Sequence, residues 1–314
     1  MTSFPPLDLT ALRFRSLEDR PSKVTRLDFG QAWTKGLGLA DFLARLPRLL
    51  AAGDLLAVAD RWAETARAGR TIILAMGGHP VKVGLNPVII DLMRRGLVSL
   101  LAVNGSVLVH DTETALVGAT SEDVAAGLGR GEFGVTRETG ELINAAAGQA
   151  AASGQGLGRT LGQSLIRGGF PYLNASLLAA AAELDLPVTV HVALGTDVYH
   201  LHPRADGASL GAASLTDFKT FCAAVATLEQ GLFINLGSAV IMPEVFLKAV
   251  TLARNLGRPL KDIATVNMDF IRHYRPQVNV VDRPTAEGGR GYYLIGHHEI
   301  MFPLLAAAVI ERLD

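Results

Sequence analysis

The chain has 314 residues, of which 49% are hydrophobic and 19% are charged, and its formal net charge is −1 at pH 7. A chain of this length can bury a sizeable core in one large α/β domain or in two small ones. Because the charge is near zero and no basic stripe is present, the sequence argues against a nucleic-acid partner. The single cysteine, Cys222, excludes an internal disulfide, and its apolar neighbours favour a helix core position over a nucleophile.

The N-terminal region lacks the basic start and the apolar core of a signal peptide. Apolar runs elsewhere are broken by Glu, Asp or Pro before the ~18 residues that a bilayer span requires. We therefore expect a soluble, cytoplasmic protein without a membrane partner. Residues 1–35 are rich in proline and charge without a clear period, which predicts an arm that is mobile or packs on a partner subunit. Residues 36–314 are predicted to form a single domain.

The first third of the chain predicts two helices followed by a strand, helix, strand unit. Apolar spacing and turn residues predict helices over residues 39–53, 54–68 and 87–96, and buried strands over 71–76 and 98–103. A strand, helix, strand unit within about thirty residues is typical of a parallel crossover.

Two glycine-dense runs, GLGRGEFG and SGQGLGRTLG, lie in the less regular stretch between residues 118 and 169. Neither fits the G-x-G-x-x-G dinucleotide fingerprint, and the second follows an Ala-rich helix predicted over 138–152 rather than a strand. We therefore predict a flexible loop between helices at 154–162 and not a phosphate-binding loop.

Residues 187–206, PVTVHVALGTDVYHLHPRAD, predict a buried strand that stops at Gly195 and is followed by a dense polar group. Asp197, His200, His202 and Asp206 lie within ten residues of one another. This density predicts the rim of an active site. The alternative is a polar surface turn after a strand, which is common in loops.

The remaining pattern completes a sheet of six strands. Further helices are predicted over 174–184, 215–228, 243–256 and 300–313, and further strands over 231–236, 263–267 and 291–295. Buried strands that alternate with helices predict an α/β fold with a doubly wound, mostly parallel sheet covered on both faces.

Small and polar residues follow all six predicted strands. They are Gly77–Gly78–His79, Asn104–Gly105–Ser106, Gly195–Thr196–Asp197, Gly237–Ser238, Asn267–Met268–Asp269 and Gly296–His297–His298. Ligands of doubly wound sheets bind beyond the carboxyl ends of the strands, where small residues admit the ligand and polar ones hold it. The pattern predicts a ligand-binding cleft at this edge.

Several longer stretches carry a resemblance to a known family. IILAMGGHPVKVGLNPVIIDLMRRGLVSLLAVNGSVLVHD, GEFGVTRETGELIN, PVTVHVALGTD, GLFINLGSAVI and MFPLLAAAVIE occur in an order and spacing that resemble the deoxyhypusine synthase family, from about residue 71 onward. The resemblance implies a Rossmann-like NAD-binding domain and a homotetramer with active sites shared between subunits. It also implies oxidation of spermidine with NAD and transfer of butylamine, as an imine, to an enzyme lysine and then to a protein lysine. Similar bacterial relatives make homospermidine from small amines.

The resemblance also implies positions for the NAD contacts. By position they fall on Gly77, Gly78, His79, Asn104, Gly105, Ser106, His110, Asp111, Asp197, Gly237, Ser238 and His297. A carboxylate that follows a strand, as Asp197 does, is suited to hold a ribose hydroxyl.

The chain departs from the family at two catalytic positions. The imine-forming lysine belongs before the last strand, where this chain reads AEGGRGYY with Arg290 nearest, and no lysine follows Lys261. Arginine stays protonated and cannot supply the free amine that an imine requires. The family's histidine-rich substrate motif is replaced by Met242, Pro243 and Glu244. NAD binding is therefore better supported than covalent transfer through an enzyme lysine.

The leading hypothesis is an NAD-dependent transferase that oxidises a small-molecule amine of the polyamine type to an imine and passes it directly to an acceptor. In this hypothesis the carboxylate of Glu244 holds the cationic amine and His200 or His202 takes its proton. The alternatives are a helix-dipole role for Glu244 and a plain turn position for His202.

Three other possibilities stay open. Arg290, a candidate catalytic residue, could bind an anionic substrate together with Arg275 and Arg283, or form surface salt bridges. A metal-dependent hydrolase could use Asp197, His200, His202, Asp206, His297, His298 and Glu299, although no established metal-ligand spacing is present. The absent lysine also leaves room for a paralogue that binds NAD without catalysis.

Overall fold

A sheet of six parallel strands forms the centre of the computed structural model, which describes residues 3–313. The strands are β1 (Ile72–Met76), β2 (Leu100–Asn104), β3 (Val188–His191), β4 (Leu232–Leu236), β5 (Ala264–Asp269) and β6 (Arg290–Ile295). Their order across the sheet is β3-β2-β1-β4-β5-β6, which is the order of doubly wound dinucleotide-binding sheets. The predicted α/β, Rossmann-like architecture is confirmed, and every strand pair is parallel.

Helices connect the strands and cover the sheet. They are α1 (Leu39–Arg45), α2 (Leu50–Arg67), α3 (His79–Lys82), α4 (Asn86–Arg94), α5 (Gly105–Val117), α6 (Val124–Leu128), α7 (Arg137–Ser153), α8 (Leu157–Gly168), α9 (Leu177–Glu183), α10 (Gly207–Val225), α11 (Ile241–Asn255), α12 (Tyr274–Pro276) and α13 (His298–Ile310). Within residues 3–313, none of them combines the length and apolarity needed to cross a bilayer.

Alternate strand residues pack into two separate cores. Leu74 and Met76 of β1 join the larger core, whereas Ile73 and Ala75 join a smaller one with Phe233 of β4. Burial on both faces explains why the strands read as continuous apolar runs. Because all strands run in the same direction, their carboxyl ends meet at one edge of the sheet, which we call the carboxyl edge.

The predicted loop over 154–162 is wrong, because helix α8 begins at Leu157. Leu157, Leu161 and Leu165 recur every four residues and are fully buried, which is the spacing of a helix face. A side chain at Gly158 would collide with the backbone oxygen of Val188. The glycines therefore serve close helix packing and not loop flexibility.

Helix α10 begins at Gly207, eight residues before the predicted start at 215. Asp206 accounts for the earlier start, because its carboxylate accepts hydrogen bonds from the backbone N–H groups of Ala208 and Ser209 at 3.3 and 2.9 Å. This is the geometry of a helix N-cap. Asp206 therefore stabilises a helix end.

The segment before α1 lies largely on the surface. Backbone hydrogen bonds join Asp28 to Arg48 and Gln31 to Arg45, and the Arg45 guanidinium donates to the Gln31 side chain and to the Ala32 backbone oxygen. Phe4 and Phe14 are 91% and 88% exposed. An arm that packs on a partner subunit, divided from the domain at residue 36, stays a prediction.

Candidate functional site

The carboxyl ends of β1 and β4 meet in the middle of the sheet, where the strand order reverses. Gly77 and Gly237 follow these strands, and a Cβ atom on Gly77 would lie 2.5 Å from the backbone oxygen of Gly237. Gly237 has a φ of 65°, a conformation that favours glycine. Dinucleotides bind across the crevice at this point in sheets of this order. The predicted contacts Gly77, Gly78, Gly237 and Ser238 therefore lie together at the expected place.

A cavity of about 200 Å³ opens beside this point, at the ends of β2 and β3. It unites three of the predicted NAD contacts, Ser106, His110 and Asp197. Other lining side chains include Lys82, Glu113, Glu122, Thr196 and Phe133. With three carboxylates and one lysine among these residues, the lining favours ligand groups that donate hydrogen bonds.

Asp197 is positioned by the loop after β3 so that its carboxylate lies against Gly105, the first residue of α5. A Cβ atom on Gly105 would overlap the Oδ2 atom of Asp197 and lie 2.6 Å from the hydroxyl of Tyr199. Tyr199 and Thr196 donate hydrogen bonds of 3.4 and 3.3 Å to the same oxygen. Burial raises the pKa of the Asp197 carboxyl. Further hydrogen-bond donors, such as the hydroxyl groups of a ligand, would stabilise its charged form.

His110 presents a hydrogen-bond acceptor to this site. Its Nδ1 lies 2.8 Å from the hydroxyl of Thr120, and that hydroxyl donates its proton to Glu113 over 2.6 Å. His110 must therefore carry its proton on Nδ1, which leaves the lone pair on Nε2. Burial, assisted by Lys82, lowers the pKa of His110 to about 4, so the ring is neutral at pH 7.

Asn104 ends β2 and precedes α5. Its Oδ1 atom is buried and has no hydrogen-bond partner among residues 3–313. In sheets of this order an acidic side chain about twenty residues after the first turn accepts a hydrogen bond from the ribose of the dinucleotide. An orphaned acceptor at the end of β2, together with the Asp197 carboxylate packed against Gly105, fits a ribose in this half of the site.

The other half of the site contains a pair of histidines. The Nδ1 atoms of His79, after β1, and His298, after β6, lie 2.8 Å apart. The His298 Nε2 atom lies 3.2 Å from the backbone oxygen of Met268. Phe270, after β5, packs on both rings. Burial lowers the pKa of His298, so this ring is held neutral.

The sequence places His298 among the polar residues after the last strand and among possible metal ligands, whereas His297 is the predicted NAD contact. His297 is 71% exposed at its side chain and pairs with Glu299 over 3.9 Å, whereas His298 is 1% exposed. Helix α13 begins at His298, and its first turn directs that side chain inward. The sequence offers two adjacent histidines, and only the start of the helix decides between them.

Asp111 does not face the cavity. Its carboxylate is fully buried and accepts hydrogen bonds from the Ser176 hydroxyl, from the N–H groups of Leu177 and Leu178, and from Asn86, at 2.6 to 3.1 Å. These four donors occupy both oxygens, and the two backbone donors belong to the first turn of α9. The predicted NAD contact is therefore corrected to a helix-capping role.

Arg290 lies at the opposite edge of the sheet. It is the first residue of β6, and five residues of strand, roughly 16 Å, separate it from the carboxyl edge. Its guanidinium stacks on Tyr292 at 5.0 Å. The candidate catalytic residue Arg290 therefore lies away from Asp197 within this chain, because a residue that begins a parallel strand lies at the other end of the sheet.

The histidines after Asp197 make structural contacts in and around their own loop. His200 accepts hydrogen bonds at Nδ1 from the N–H groups of Gly195 and Asp197 at 3.3 and 3.2 Å. Its neutral ring then carries the proton on Nε2 and has no lone pair left to take a substrate proton. The ring of His202 packs against Gly140 and its Nδ1 accepts from Arg204 N–H. Neither side chain has the geometry of the predicted base.

A second cavity, of about 420 Å³, lies between α10 and α11 beside the end of β3. Its lining is mostly apolar, with His191 and Glu244 as its titratable groups. Burial lowers the pKa of His191 to about 3, so this ring is neutral. Glu244 bonds Lys248, Arg275 at 3.4 Å and Asn279 at 2.9 Å, and the hydrogen bond from Lys248 is the main cause of its lowered pKa.

The residues proposed for a metal site do not converge. Asp206 caps α10, His202 faces α7 and His298 pairs with His79. Within the part of the chain that the structure describes, no group of three or more His, Cys, Asp or Glu side chains is arranged to hold a metal ion. The arrangement of these residues therefore does not support the metal-dependent hydrolase.

No protein-family model matches this sequence, and no curated protein matches it. Solved structures do show a similar fold. A LOR/SDH-type protein from Methanococcus maripaludis S2 superposes with a TM-score of 0.51 at 15% identity, over 84% of this chain and 70% of that one. A protein from Entamoeba histolytica, assigned as a deoxyhypusine synthase, superposes with a TM-score of 0.50 at 11% identity, over 90% of this chain and 96% of that one.

AgrE, crystallised as a ternary complex with ornithine and NAD+, superposes with a TM-score of 0.55 at 14% identity. The match covers 85% of this chain and 34% of AgrE, so the chain spans about a third of that protein. At these identities the three similarities establish the fold alone.

Proposed function

We propose that this chain is an NAD-dependent enzyme that oxidises the C–N centre of a small amine to an imine. The observation that carries the proposal is the cavity at the ends of β2 and β3, which Asp197 and His110 line with acceptors, together with the unpartnered Oδ1 atom of Asn104 two residues before Ser106 in the same lining. Two ribose hydroxyls need such acceptors, and the position agrees with the strand order. AgrE, which shares the fold, was crystallised with NAD+.

The chain's own residues would hold the cofactor and exclude water from it. Asp197 and His110 accept from the adenosine ribose, and Gly77 and Gly237 let the pyrophosphate approach the backbone where the strand order reverses. NAD, when bound, accepts a hydride from the substrate carbon. His79 and Phe270, after β1 and β5, would line the part of the site that receives the nicotinamide.

The substrate is proposed to be a cationic amine that is transferred after oxidation. The resemblance to the deoxyhypusine synthase family and the fold of the Entamoeba protein support a transferase of the polyamine type. Because no lysine follows Lys261, the imine would pass directly to the amine of an acceptor. Glu244, at the mouth of the larger cavity, is the carboxylate proposed to attract the substrate cation.

A second candidate substrate is an amino acid. Lys248 and Arg275 surround the carboxylate of Glu244, and Arg283 bonds the neighbouring Asn279 at 3.0 Å. Three cations and one carboxylate suit an anionic group better than a bare diamine. AgrE binds ornithine, which carries a carboxylate next to an amine.

We also propose a homotetramer with active sites at subunit interfaces. Large apolar side chains lie exposed along the carboxyl edge of the sheet, namely Leu194, Val240, Phe270, Ile271 and Tyr274. Exposed apolar groups close to a polar site are typical of subunit contacts. Light scattering of the purified chain measures the assembly state, and a monomer at micromolar concentration would contradict this proposal.

The function is tested in two steps. Calorimetry measures NAD binding, and absorbance of NADH measures turnover with a diamine, a polyamine and ornithine, each with and without a second amine as acceptor. The proposal expects NAD binding and NADH formation with at least one amine, and mass spectrometry then identifies the transferred product. NAD binding without turnover on any of them would favour the non-catalytic alternative, and no NAD binding would overturn the proposal.

A further inference from the structure

Two buried contacts determine which nitrogens of the histidine pair carry protons. A backbone carbonyl only accepts, so His298 Nε2, 3.2 Å from the Met268 oxygen, must carry a proton. A neutral His298 then has its lone pair on Nδ1, and His79 Nδ1, 2.8 Å away, must be the donor. Neutral His79 consequently has its lone pair on Nε2, the nitrogen on the side of the ring remote from His298.

The pair lies on the β4 and β5 side of the point where the strand order reverses, beside Gly237 and Phe270. His79 follows β1, where the strand order reverses, and His298 touches Gly237 after β4, since a Cβ atom there would lie 2.8 Å from the His298 ring. With its adenosine half held by the residues after β1, β2 and β3, a dinucleotide that crossed this point would carry its nicotinamide toward β4, β5 and β6. His79 is partly exposed at that location, whereas His298 is buried.

We propose that His79 is the catalytic base that takes the ammonium proton of the substrate, and that His298 is a positioning residue that holds His79 in the tautomer with a free Nε2. This inference rests on the proposed oxidation of an amine. The Met268 carbonyl orients His298, and His298 in turn orients His79. A second group that orients a general base is a common feature of active sites.

The step balances in atoms and charge. An ammonium R–CH2–NH3+ loses one proton to His79 Nε2, which becomes an imidazolium. The C–H bond then breaks with its electron pair leaving as hydride to NAD, and the nitrogen lone pair forms the C=N bond of R–CH=NH2+. The carbon is oxidised, NAD is reduced to NADH, and the proton on His79 passes to solvent or to the acceptor amine.

The charges around the pair are compatible with this role. Asp269, buried at the end of β5, and Glu299, on the first turn of α13, are the carboxylates that face His298. Asp269 also pairs with His273 at 3.6 Å. Both carboxylates stabilise the positive charge that the histidine pair carries after the proton transfer, without themselves contacting His79 Nδ1.

Two substitutions of His298 separate its two hydrogen bonds. In His298→Asn the side-chain oxygen stands near the position of Nδ1 and still accepts from His79. In His298→Gln the amide stands near the position of Nε2 and still donates to the Met268 carbonyl, but the acceptor for His79 is lost. Both remove a buried ring, so a loss of stability alone would affect them alike, and melting temperatures check this.

The experiment combines long-range 1H–15N NMR of the histidine rings in the free protein with NADH turnover of the same variants. We expect His79 in the Nδ1–H tautomer in the unmodified chain and in His298→Asn, and in the Nε2–H tautomer in His298→Gln. Turnover should fall about 100-fold in His298→Gln and in His79→Gln, the size typical of a lost general base, and it should fall less in His298→Asn than in His298→Gln.

The outcomes distinguish this inference from the function on which it rests. An Nε2–H tautomer of His79 in the unmodified protein overturns the inference, whatever the turnover. Turnover of His298→Gln equal to that of the unmodified chain overturns it as well and leaves the oxidation of amines intact. Bound NAD without NADH formation by the unmodified chain overturns the proposed function, and the catalytic role of His79 with it.

Discussion

The carboxylate of Asp197 lies directly against the Cα atom of Gly105, so that a methyl group on Gly105 would overlap Oδ2 of Asp197. The contact joins the loop after β3 to the first residue of the helix after β2. It places a half-buried carboxylate where parallel sheets of this order hold a ribose.

Gly105→Ala should therefore weaken the affinity for NAD strongly. The methyl group must displace the Asp197 carboxylate, and loss of a hydrogen bond to a charged group, about 1.5–3 kcal/mol, weakens affinity by about 10- to 100-fold. Calorimetric titration with NAD measures the effect. Gly148→Ala is the matched control, because nothing lies within 4 Å of its added Cβ atom, and it should bind NAD normally. Equal affinities of the two variants would contradict the ribose site.

Asp197→Asn should lower the ratio of NAD affinity to NADP affinity. Asp197, Glu113 and Glu122 line the same cavity, and their charges repel a phosphate on the ribose. We expect NAD affinity to fall about tenfold or more while NADP affinity holds or rises. Asp206→Asn is the control, since this residue caps α10 and asparagine caps helices equally well. Tighter binding of NADP than of NAD by the unmodified chain would contradict this prediction.

Asp217 should make stability depend on pH. Burial raises its pKa from 3.8 to about 7 although Gly158 and Val190 donate backbone hydrogen bonds to it. Between these two values the folded chain binds a proton that the unfolded chain has lost, so the free energy of unfolding falls as pH rises. From pH 5 to pH 8 the fall from this group is roughly 2–3 kcal/mol.

Asp217→Asn tests this dependence, because its amide oxygen still accepts from both N–H groups and does not ionise. Urea unfolding at pH 5 and pH 8 should show a smaller loss of stability in the variant than in the unmodified chain. An equal loss of stability in the two proteins between pH 5 and pH 8 would mean that the backbone donors keep Asp217 ionised at both pH values.

Arg290→Ala should leave NAD affinity and amine oxidation within about twofold of the unmodified chain, because Arg290 begins β6 at the edge opposite to the site. As an exposed side chain it should change the free energy of unfolding by no more than about 0.5 kcal/mol. Calorimetry and NADH turnover check both values. A large loss of turnover would show that Arg290 reaches a site on a partner subunit.

Lys248→Met separates the two candidate substrates. If the cations around Glu244 bind a carboxylate, the KM for ornithine should rise severalfold while that for a diamine is unchanged or falls, since one repulsive charge is removed. Glu244→Gln should have the opposite order of effects. Steady-state NADH formation with both substrates measures this. Equal changes of KM for the two substrates would exclude this group from substrate binding.

Local sequence determined the elements of this fold and the edge at which its site lies. The apolar runs that end in Gly77, Asn104 and Gly237 predict strands and their carboxyl ends, because strand formation and turn chemistry depend on a few neighbouring residues. The third strand ends at His191, four residues before the predicted stop at Gly195. Parallel strands bring these ends together whatever the details of packing. The predicted contacts Ser106, His110 and Asp197 consequently share one cavity.

Only the tertiary structure decided which polar side chains face that cavity. Asp111 and His110 are adjacent in the chain, yet one caps α9 and the other lines the site, because a helix turns successive side chains about 100° apart. The same rotation buries His298 and exposes His297. Sequence patterns therefore specify where a site forms, whereas the packing of distant helices selects the side chains and protons that it presents.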